Sequence, residues 1–375
     1  MKLEVTHENL AKALGMVART VGVRSALPIL NNVLLKTEKG RLRLSATDLE
    51  VGITTWIGAK IDQEGAYTVP AKLFGDYIAA ASGKTIRMEQ QEGTLRVTTE
   101  EGEAAIKGLP ADEFPLIPQI EGGPLLLISP LRFKEALRKT VVAAAIDETR
   151  PTLSGVLLWK EKGELRVTAT DSYRLSEAKV SVEKSGRNDA KKSGGTTKVI
   201  VPHRVAQELI RLLEAADEEV ALAVSENQAL FKTSSMTLVS RLIEGEFPNY
   251  VDIIPAKGTT TVATATEELL RAIKVASLFA REVGNHITLS VHPKGSLEVR
   301  ATSPQVGENV ANISATIAGE EQSVSFNARF LQDAVASIGS KETQILLTGK
   351  TSPAVFREEG NTDFLHLVMP LRTEG

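Results

Sequence analysis

One stretch of this chain is written twice. Residues 28–48 read PILNNVLLKTEKGRLRLSATD, and residues 151–171 read PTLSGVLLWKEKGELRVTATD. Aligned from Leu27 and Arg150 at a constant offset of 123, 13 of 22 positions are identical without a gap. Unrelated sequences of ordinary composition would agree at about one or two such positions. A period this long marks a duplicated domain rather than a short solenoid repeat. It confines the chain to tandem copies of one unit, and such chains more often build a symmetric scaffold than a single cleft.

The unit extends beyond the duplicated stretch. Val69-Pro70-Ala71-Lys72 opens a helical segment, and Val201-Pro202-His203-Arg204 does the same at an offset of 132. The nine extra residues fall in Glu183 to Thr197, whose Gly, Ser and Lys content reads as a loop insertion. Each copy then closes near a Glu-Phe-Pro, at Glu113 to Pro115 and at Glu246 to Pro248. A third, worn copy matches Gly163 to Asp171 with Gly295 to Ser303 at five of nine positions. Its second half opens at Phe326-Asn327-Ala328-Arg329, where the proline has been replaced. Boundaries at Gly122-Gly123-Pro124 and near Pro255 to Gly258 give three domains, 1–122, 123–254 and 255–375. Each has an ordinary domain size.

Within a copy the periodicity changes in a fixed order. After a short strand holding Leu3 and Val5, a helix is expected from Glu8 to Thr20, since Leu10, Ala13, Leu14, Val17 and Ala18 share one helical face. Alternating strands are expected at Asn32–Thr37 and Arg41–Ala46 around the Lys39-Gly40 turn, and another at Gly52–Ile61. The half-unit then restarts, with a strand at Ala66–Val69, a helix at Ala71–Ala81, and strands at Thr85–Gln90, Thr94–Thr99 and Ala104–Leu109. The fold class is therefore α+β, with three tandem similar domains and six strand–helix half-units.

Composition narrows the function. At 375 residues, 42% hydrophobic and 24% charged, the chain reads as a multidomain globular protein. No apolar run reaches the length of a membrane span, and MKLEVTHENL lacks the apolar stretch of a signal peptide. The absence of cysteine excludes disulfides, thiolate metal sites and cysteine nucleophiles. A cytoplasmic protein fits best. A net charge of −3 argues against gripping nucleic acid with the whole surface, though not with one basic face.

A scan for catalytic groups comes out almost empty. His7, His203, His286, His292 and His366 are isolated, and none pairs with another at metal-ligand spacing. Gly83-Lys84-Thr85 lacks the leading glycine of a phosphate loop, because position 78 is Ile78. Asn312-Ile313-Ser314 is a formal glycosylation sequon, outweighed by the lack of a signal peptide. Asp48 and Asp171 could be duplicated carboxylates of an enzyme, but each follows Ala-Thr at a strand end, where Asp bonds its own backbone in a turn. Ser303 at the third position fits the turn and not the carboxylate. No enzyme, metal or cofactor is expected. The six helices carry an excess of four positive charges, which matters only if the fold gathers them on one surface.

Leu27-Pro28-Ile29-Leu30-Asn31-Asn32, the paired Ala-Thr-Asp, Thr170-Asp171-Ser172-Tyr173-Arg174-Leu175, Phe247-Pro248-Asn249-Tyr250 and Val368-Met369-Pro370-Leu371-Arg372 occur in one order along the chain. In this the chain resembles the bacterial DNA polymerase III beta subunit family, the sliding clamps, over essentially its whole length. The resemblance implies a head-to-tail homodimer closed into a ring around double-stranded DNA, with helices inside and antiparallel sheets outside. It implies DNA contacts at Arg24 and at Lys72, which stands in place of an arginine. Basic helix residues Arg132, Lys134, Arg138, Lys139 and Arg204 are expected to join them. Asp147, Pro151 and Thr152 depart from the glutamine and tyrosines of the family.

For the subunit contact the resemblance points to Glu103, Ala105, Ile106 and Lys107 on one side, and Ile273 and Leu278 on the other. For binding a short linear motif it points to Leu153, Thr170, Ser172, Tyr173, Arg174 and Leu175, then Pro248, Asn249 and Ile253, and finally Leu367, Val368, Met369, Pro370, Leu371 and Arg372. The implied partners are the replicative polymerase alpha subunit, the clamp loader, other polymerases and repair proteins. Such an apolar cleft suits Leu and Phe anchors, and Met369 supplies an adaptable wall. Asp252 departs from a basic residue. Two other readings stay open: a protein-binding scaffold that does not encircle DNA, and an interdomain enzyme using Asp48, Asp171, Arg24 and Arg174.

Overall fold

The computed structural model describes residues 1–21, 27–118, 125–147, 149–184, 197–216, 218–255, 257–292 and 295–371. Arg24, Arg372, the Gly122-Gly123-Pro124 boundary and most of the 183–197 insertion lie outside them.

Among the described residues a strand leads into an α-helix six times, directly in five of them and through Ser129 in the other. Lys2–Thr6 leads into α1 (His7–Val17), and Ala66–Pro70 leads into α2 (Ala71–Ala80). Leu126–Ile128 precedes α3 (Pro130–Thr140), and Thr197–Pro202 leads into α4 (His203–Leu212). Thr260–Ala265 leads into α5 (Thr266–Ala280), and Gln322–Asn327 into α6 (Ala328–Ala336). Pro70 and Pro202 suit this junction because their fixed φ is compatible with entry into a helix and the lost N–H is unpaired there anyway. In the third copy Asn327 does the same job differently: its side-chain oxygen accepts the Arg329 N–H at 2.9 Å and caps α6.

Each helix buries one stripe. In α1 it is Leu10, Ala13, Leu14 and Val17, and in α4 Val205, Ala206, Leu209 and Leu212. The α1 stripe matches the expected face, but the α-helix stops at Val17 and finishes as a 3-10 turn at Ala18–Thr20.

Two compact units form: Met1–Pro130 with Glu183–Asn188 and Glu214–Leu242, and Leu131–Val182 with Asp189–Leu213 and Ile243–Gly375. The division runs through the middle copy because sheets bridge neighbouring copies. Inside the first unit, Val51–Gly58 pairs antiparallel with Met236–Arg241, placing Ile53 opposite Leu238 within a ten-stranded sheet. Inside the second, Arg174–Ser181 pairs with Phe364–Val368, placing Leu175 opposite Leu367 within a twelve-stranded sheet. One kind of junction is thus built twice.

The duplicated hairpins also agree in detail. Lys39 and Gly40 both have positive φ (47° and 77°), as do Lys162 and Gly163 (47° and 88°). That is the two-residue turn whose twist matches antiparallel strands.

Two expected strands are each divided. The segment 52–61 becomes Val51–Gly58 in the ten-stranded sheet and Lys60–Gln63, which pairs with Lys2–Thr6 in a five-stranded sheet. The segment 104–109 becomes Glu103–Lys107 at the edge of the five-stranded sheet and Leu109–Pro110, which pairs with Ala66–Pro70. Gly108 makes the second crossing possible, since a Cβ there would lie 1.7 Å from the Thr68 carbonyl oxygen. Its N–H donates to the Tyr67 hydroxyl at 3.0 Å, and that hydroxyl donates to the Gly93 carbonyl at 2.5 Å. A period-2 pattern carries through such a crossing without interruption, so it is silent about which sheet each half joins.

In the second unit the third copy packs α5 and α6 on its sheet around Ile273, Phe326, Leu331 and Phe356. Among the described residues, no helix is long and apolar enough to cross a membrane. Nor do three or more His, Asp or Glu converge there on a metal-sized site.

Candidate functional site

The paired Ala-Thr-Asp segments fold into one and the same turn. In the first copy Asp48 Oδ1 accepts the N–H groups of Glu50 (3.1 Å) and Val51 (2.8 Å), while Thr47 Oγ1 donates to the Val51 carbonyl at 2.9 Å. In the second copy Asp171 Oδ1 accepts from Tyr173 and Arg174, both at 2.9 Å, while Thr170 Oγ1 donates to the Arg174 carbonyl at 2.7 Å. Leu49 and Ser172 each adopt φ 78°. Ser303 accepts the Gln305 N–H at 3.3 Å in the third copy. The carboxylates are turn anchors, which removes the enzyme reading its main acid–base candidates.

What the second turn carries is different. Asp171 Oδ2 also accepts Arg174 Nε at 3.0 Å, and the Arg174 guanidinium continues to Asp333 on α6. The guanidinium lies 4.6 Å from the centroid of Phe330, one turn earlier on α6. Tyr173 stacks on the same ring, centroids 6.4 Å apart and planes 22° apart. Phe330 therefore lies close to both a cation and a phenol, and the buried arginine is neutralised by two carboxylates. Tyr173 remains 63% exposed. A cavity of about 400 Å³ opens beside it, lined by Ile146, Arg150, Leu153, Tyr173, Arg174, Arg329 and Phe330, among others. Arg150 reaches the rim and donates to Ser172 Oγ at 3.0 Å.

Behind the turn lies an apolar cluster. Leu157, Leu175, Ile200, Tyr250, Val355, Leu365 and Leu367 are buried together, with Phe247, Ile254 and Met369 packed against them. Pro248, Asn249 and Ile253 alternate with those anchors along the linker and stay exposed. Asn249 donates to Asp252 at 2.7 Å, so the departing residue at 252 is held by its own linker. The Met369 N–H donates to the Tyr173 carbonyl at 2.8 Å, and Leu371 N–H to the Ser325 carbonyl at 2.8 Å. Pro370 and Leu371 are half-buried.

The expected pocket residues thus divide. Leu153, Tyr173 and Arg174 line the cavity, and Ser172 sits on its rim. Thr170, Leu175, Leu367 and Val368 are buried supports. Pro248, Asn249 and Ile253 belong to the linker beside them, and Met369 and Pro370 follow the terminal strand, which ends at Val368. Phe330 and Asp333 were not foreseen. Their signal was an i, i+3 pair on one helix face, which has meaning only once α6 is known to face the turn.

The basic residues also divide. Lys72, Arg132, Arg138 and Arg204 are exposed on α2, α3 and α4, and Lys134 is half-buried. Lys139 is not a DNA-facing residue: it is only 7% exposed, its ammonium 2.6 Å from Glu358 and 3.3 Å from Glu135. It also lies 4.9 Å from the Phe364 ring centroid. The expected subunit contact needs a similar correction. Ile273 is 0% exposed inside the third-copy core and Ile106 is likewise buried, so neither has surface to offer. Glu103, Ala105, Lys107 and Leu278 are exposed.

Comparison with known proteins agrees along the whole chain. The N-terminal, central and C-terminal domain descriptions of the DNA polymerase III beta subunit match residues 1–118, 128–249 and 251–372. The chain is 32% identical to the beta sliding clamp of Synechococcus elongatus, over 99% of both chains. It is 31% identical to that of Bacillus subtilis, over 100% of both. The crystal structure of the Bacillus subtilis DNA polymerase sliding clamp superposes with a TM-score of 0.93 at 30% identity, covering 100% of this chain and 99% of that one. A Pseudomonas aeruginosa sliding clamp bound to griselimycin gives a TM-score of 0.93 at 29% identity, covering 100% of both chains.

Proposed function

Since the chain belongs to the DNA polymerase III beta subunit family, the non-catalytic beta sliding clamps, we propose that two copies close head to tail into a ring around duplex DNA. The three clamp domains are taken as residues 1–122, 123–254 and 255–375. Six helices per chain would face the DNA and the sheets would form the outer wall. A ring holds DNA by topology, so its inner surface needs only weak, sequence-independent attraction to phosphates. Lys72, Arg132, Arg138 and Arg204 on exposed helix positions suit that role. The sequence adds Arg24.

Two open strand edges support closure. Glu103–Lys107 ends the five-stranded sheet with one side unpaired among the described residues. In the third copy, Gly307–Ser314 pairs with Ser296–Ser303 on one side, and among the described residues only 315–319 of that strand pair on the other. Joining these edges between subunits would satisfy both ladders and remove an aggregation hazard. The exposed Leu278 on α5 would sit at the contact, and a repeated heterologous contact closes when its rotation allows.

The dock for partners is the Tyr173 turn with its cavity and the apolar linker beside it. The observation that carries this reading is an exposed aromatic on a rigidly held turn, next to a cavity and an apolar cluster. A short segment with Leu and Phe anchors is the occupant this chemistry fits, supplied in turn by polymerase alpha subunit, clamp loader, other polymerases and repair proteins. The protein would work in the cytoplasm, beside the chromosome.

Retention on DNA tests the ring. The loaded protein is expected to stay on a nicked circle and to leave when that circle is linearised. Equal retention on both forms would refute encirclement and leave the scaffold reading. For the dock, removal of residues 369–375 is expected to abolish binding of a polymerase-tail peptide while the dimer persists in sedimentation.

A further inference from the structure

The linker that carries Pro248, Asn249 and Ile253 has little regular structure of its own. Its one ordered element is a 3-10 turn at Val251–Ile253, closed by local bonds from Ile253 N–H to Tyr250 and from Ile254 N–H to Val251. Among the described residues, one side chain between 244 and 254 makes a hydrogen bond to the sheet beneath, and it is Tyr250. Its phenol donates to Glu177 Oε2 at 2.5 Å and accepts from Thr168 Oγ1 at 3.1 Å.

The surroundings make that bond unusually binding. Glu177 is 3% exposed, and its nearest cation is Arg166 at 3.7 Å. A carboxylate so buried needs each partner it has. Arg166 in turn lies 4.9 Å from the ring of Trp159, with Lys198 at 4.2 Å from that ring. Trp159 and Phe247 both meet Tyr250 edge-on, at 6.4 and 6.1 Å. Burial and the neighbouring carboxylate push the phenol's pKa upward, so it remains a donor throughout the neutral range. Glu177 lies two residues beyond Leu175 in one strand, so both side chains leave the same face. The phenol therefore fixes the linker directly over the apolar cluster that backs the dock.

We infer that the Tyr250–Glu177 pair is a pin that holds the linker on the sheet and pre-shapes the wall of the dock, Tyr250 acting as a positioning residue. The inference rests on the dock reading of the Tyr173 turn. A pre-shaped wall spares the partner the ordering cost of the linker, so the pin is read out as affinity.

The test uses the full chain with Tyr250→Phe, which keeps the ring and removes the hydroxyl, and Glu177→Gln, which keeps an acceptor for the phenol. Binding of a fluorescein-labelled short peptide with Leu and Phe anchors is measured by anisotropy, and amide exchange is followed in residues 251–254. Tyr250→Phe is expected to weaken the peptide about tenfold and to speed exchange by a similar factor, the worth of one hydrogen bond to a charged group. Glu177→Gln should stay within about threefold of the parent, since the bond survives without its charge. Unchanged exchange in Tyr250→Phe overturns the pin. Faster exchange with unchanged peptide affinity overturns its role in shaping the dock. A parent chain that ignores the peptide overturns the dock itself, and the exchange result still decides the pin.

Discussion

Glu50 and Tyr173 hold the same position in two copies of one turn, and each gives its backbone carbonyl to a neighbouring strand: to Arg241 N–H at 2.9 Å and to Met369 N–H at 2.8 Å. The backbones agree, so what differs is the side chains. Glu50 forms an ion pair with Arg241 at 3.2 Å, whereas Tyr173 stacks on Phe330. Beneath the first turn Gly52 is closed over by Ile117, whose Cγ2 lies 2.9 Å from where a Cβ would be. Beneath the second, the equivalent strand position carries Leu175, part of the apolar cluster. A single duplicated frame thus presents a charged rim in one copy and an aromatic one in the other.

Tyr173→Glu transplants the first-copy rim into the second. The carboxylate would face an apolar partner segment and lose the stack on Phe330. Peptide affinity is expected to fall more than tenfold, since truncating an interface aromatic costs about 2 kcal/mol or more. Because Tyr173 is largely exposed, unfolding should shift by less than about 0.5 kcal/mol. Anisotropy and urea titration measure the two separately.

Lys139 should behave as a structural residue. Its ammonium meets Glu358, which also accepts the Gly339 N–H at 2.8 Å and the Asn361 amide at 2.6 Å. Burial pushes the Glu358 carboxyl up, but these hydrogen bonds outweigh it and hold its pKa below the ordinary carboxylate range. A carboxyl depressed on folding stabilises the fold above its unfolded pKa, and that contribution fades as pH falls through the folded value. Lys139→Met is expected to cost about 3 kcal/mol at pH 7, the order seen when one partner of a buried pair is removed. The gap from the parent should narrow in urea unfolding as pH falls below the ordinary carboxylate range, because the variant's Glu358 takes up its proton first and the parent's depressed carboxyl follows.

The repeat made the fold legible from the sequence, because tandem copies show through shared spacing even in a worn third copy. The six strand–helix starts were legible for the same reason, and Pro70 and Pro202 mark two of them. The crossings at Ala59 and Gly108 were not, since alternation specifies a face and not a sheet. The Tyr173 turn was legible through the family resemblance, which the segment Thr170 to Leu175 carries. Phe330 and Asp333 were missed because they come from another copy, where only folding brings them to Arg174. Lys139 is buried although the sequence counts it with the basic helix face, because charge along one dimension does not tell a rim from a core. Ile106 and Ile273, carried over from the family by position, are buried too, because a matched position does not fix which way its side chain faces.

The basic helices should contribute by charge alone. Lys72→Ala and Arg132→Ala are each expected to weaken binding to a short linear duplex equally for all sequences. Each should lower the slope of log affinity against log salt by about one. Retention on a closed nicked circle should be unaffected by either. Lys139→Met, with no exposed charge to lose, should leave the slope alone. A salt titration by anisotropy on two unrelated duplexes separates these outcomes.

The paired aspartates offer the sharpest separation of frame from site. Asp48 accepts two backbone N–H groups in its turn, and Asp171 accepts two and also holds Arg174. Asp48→Ala removes a turn anchor and is expected to cost about 1 kcal/mol of stability, with peptide binding unchanged. Asp171→Ala removes the same anchor and leaves the buried Arg174 with Asp333 as its remaining carboxylate. Its stability cost should be larger, about 2 to 3 kcal/mol, because a buried guanidinium loses half its neutralisation. Arg174 then draws towards Asp333 and its contact with Phe330 changes, so the ring beneath Tyr173 shifts and peptide affinity falls with it. Measured side by side, the two variants should differ in peptide affinity by at least about fivefold, more than either stability change explains at saturating folded protein. Equal affinities would mean that Asp171 is a turn anchor alone and that Arg174 does not set the rim.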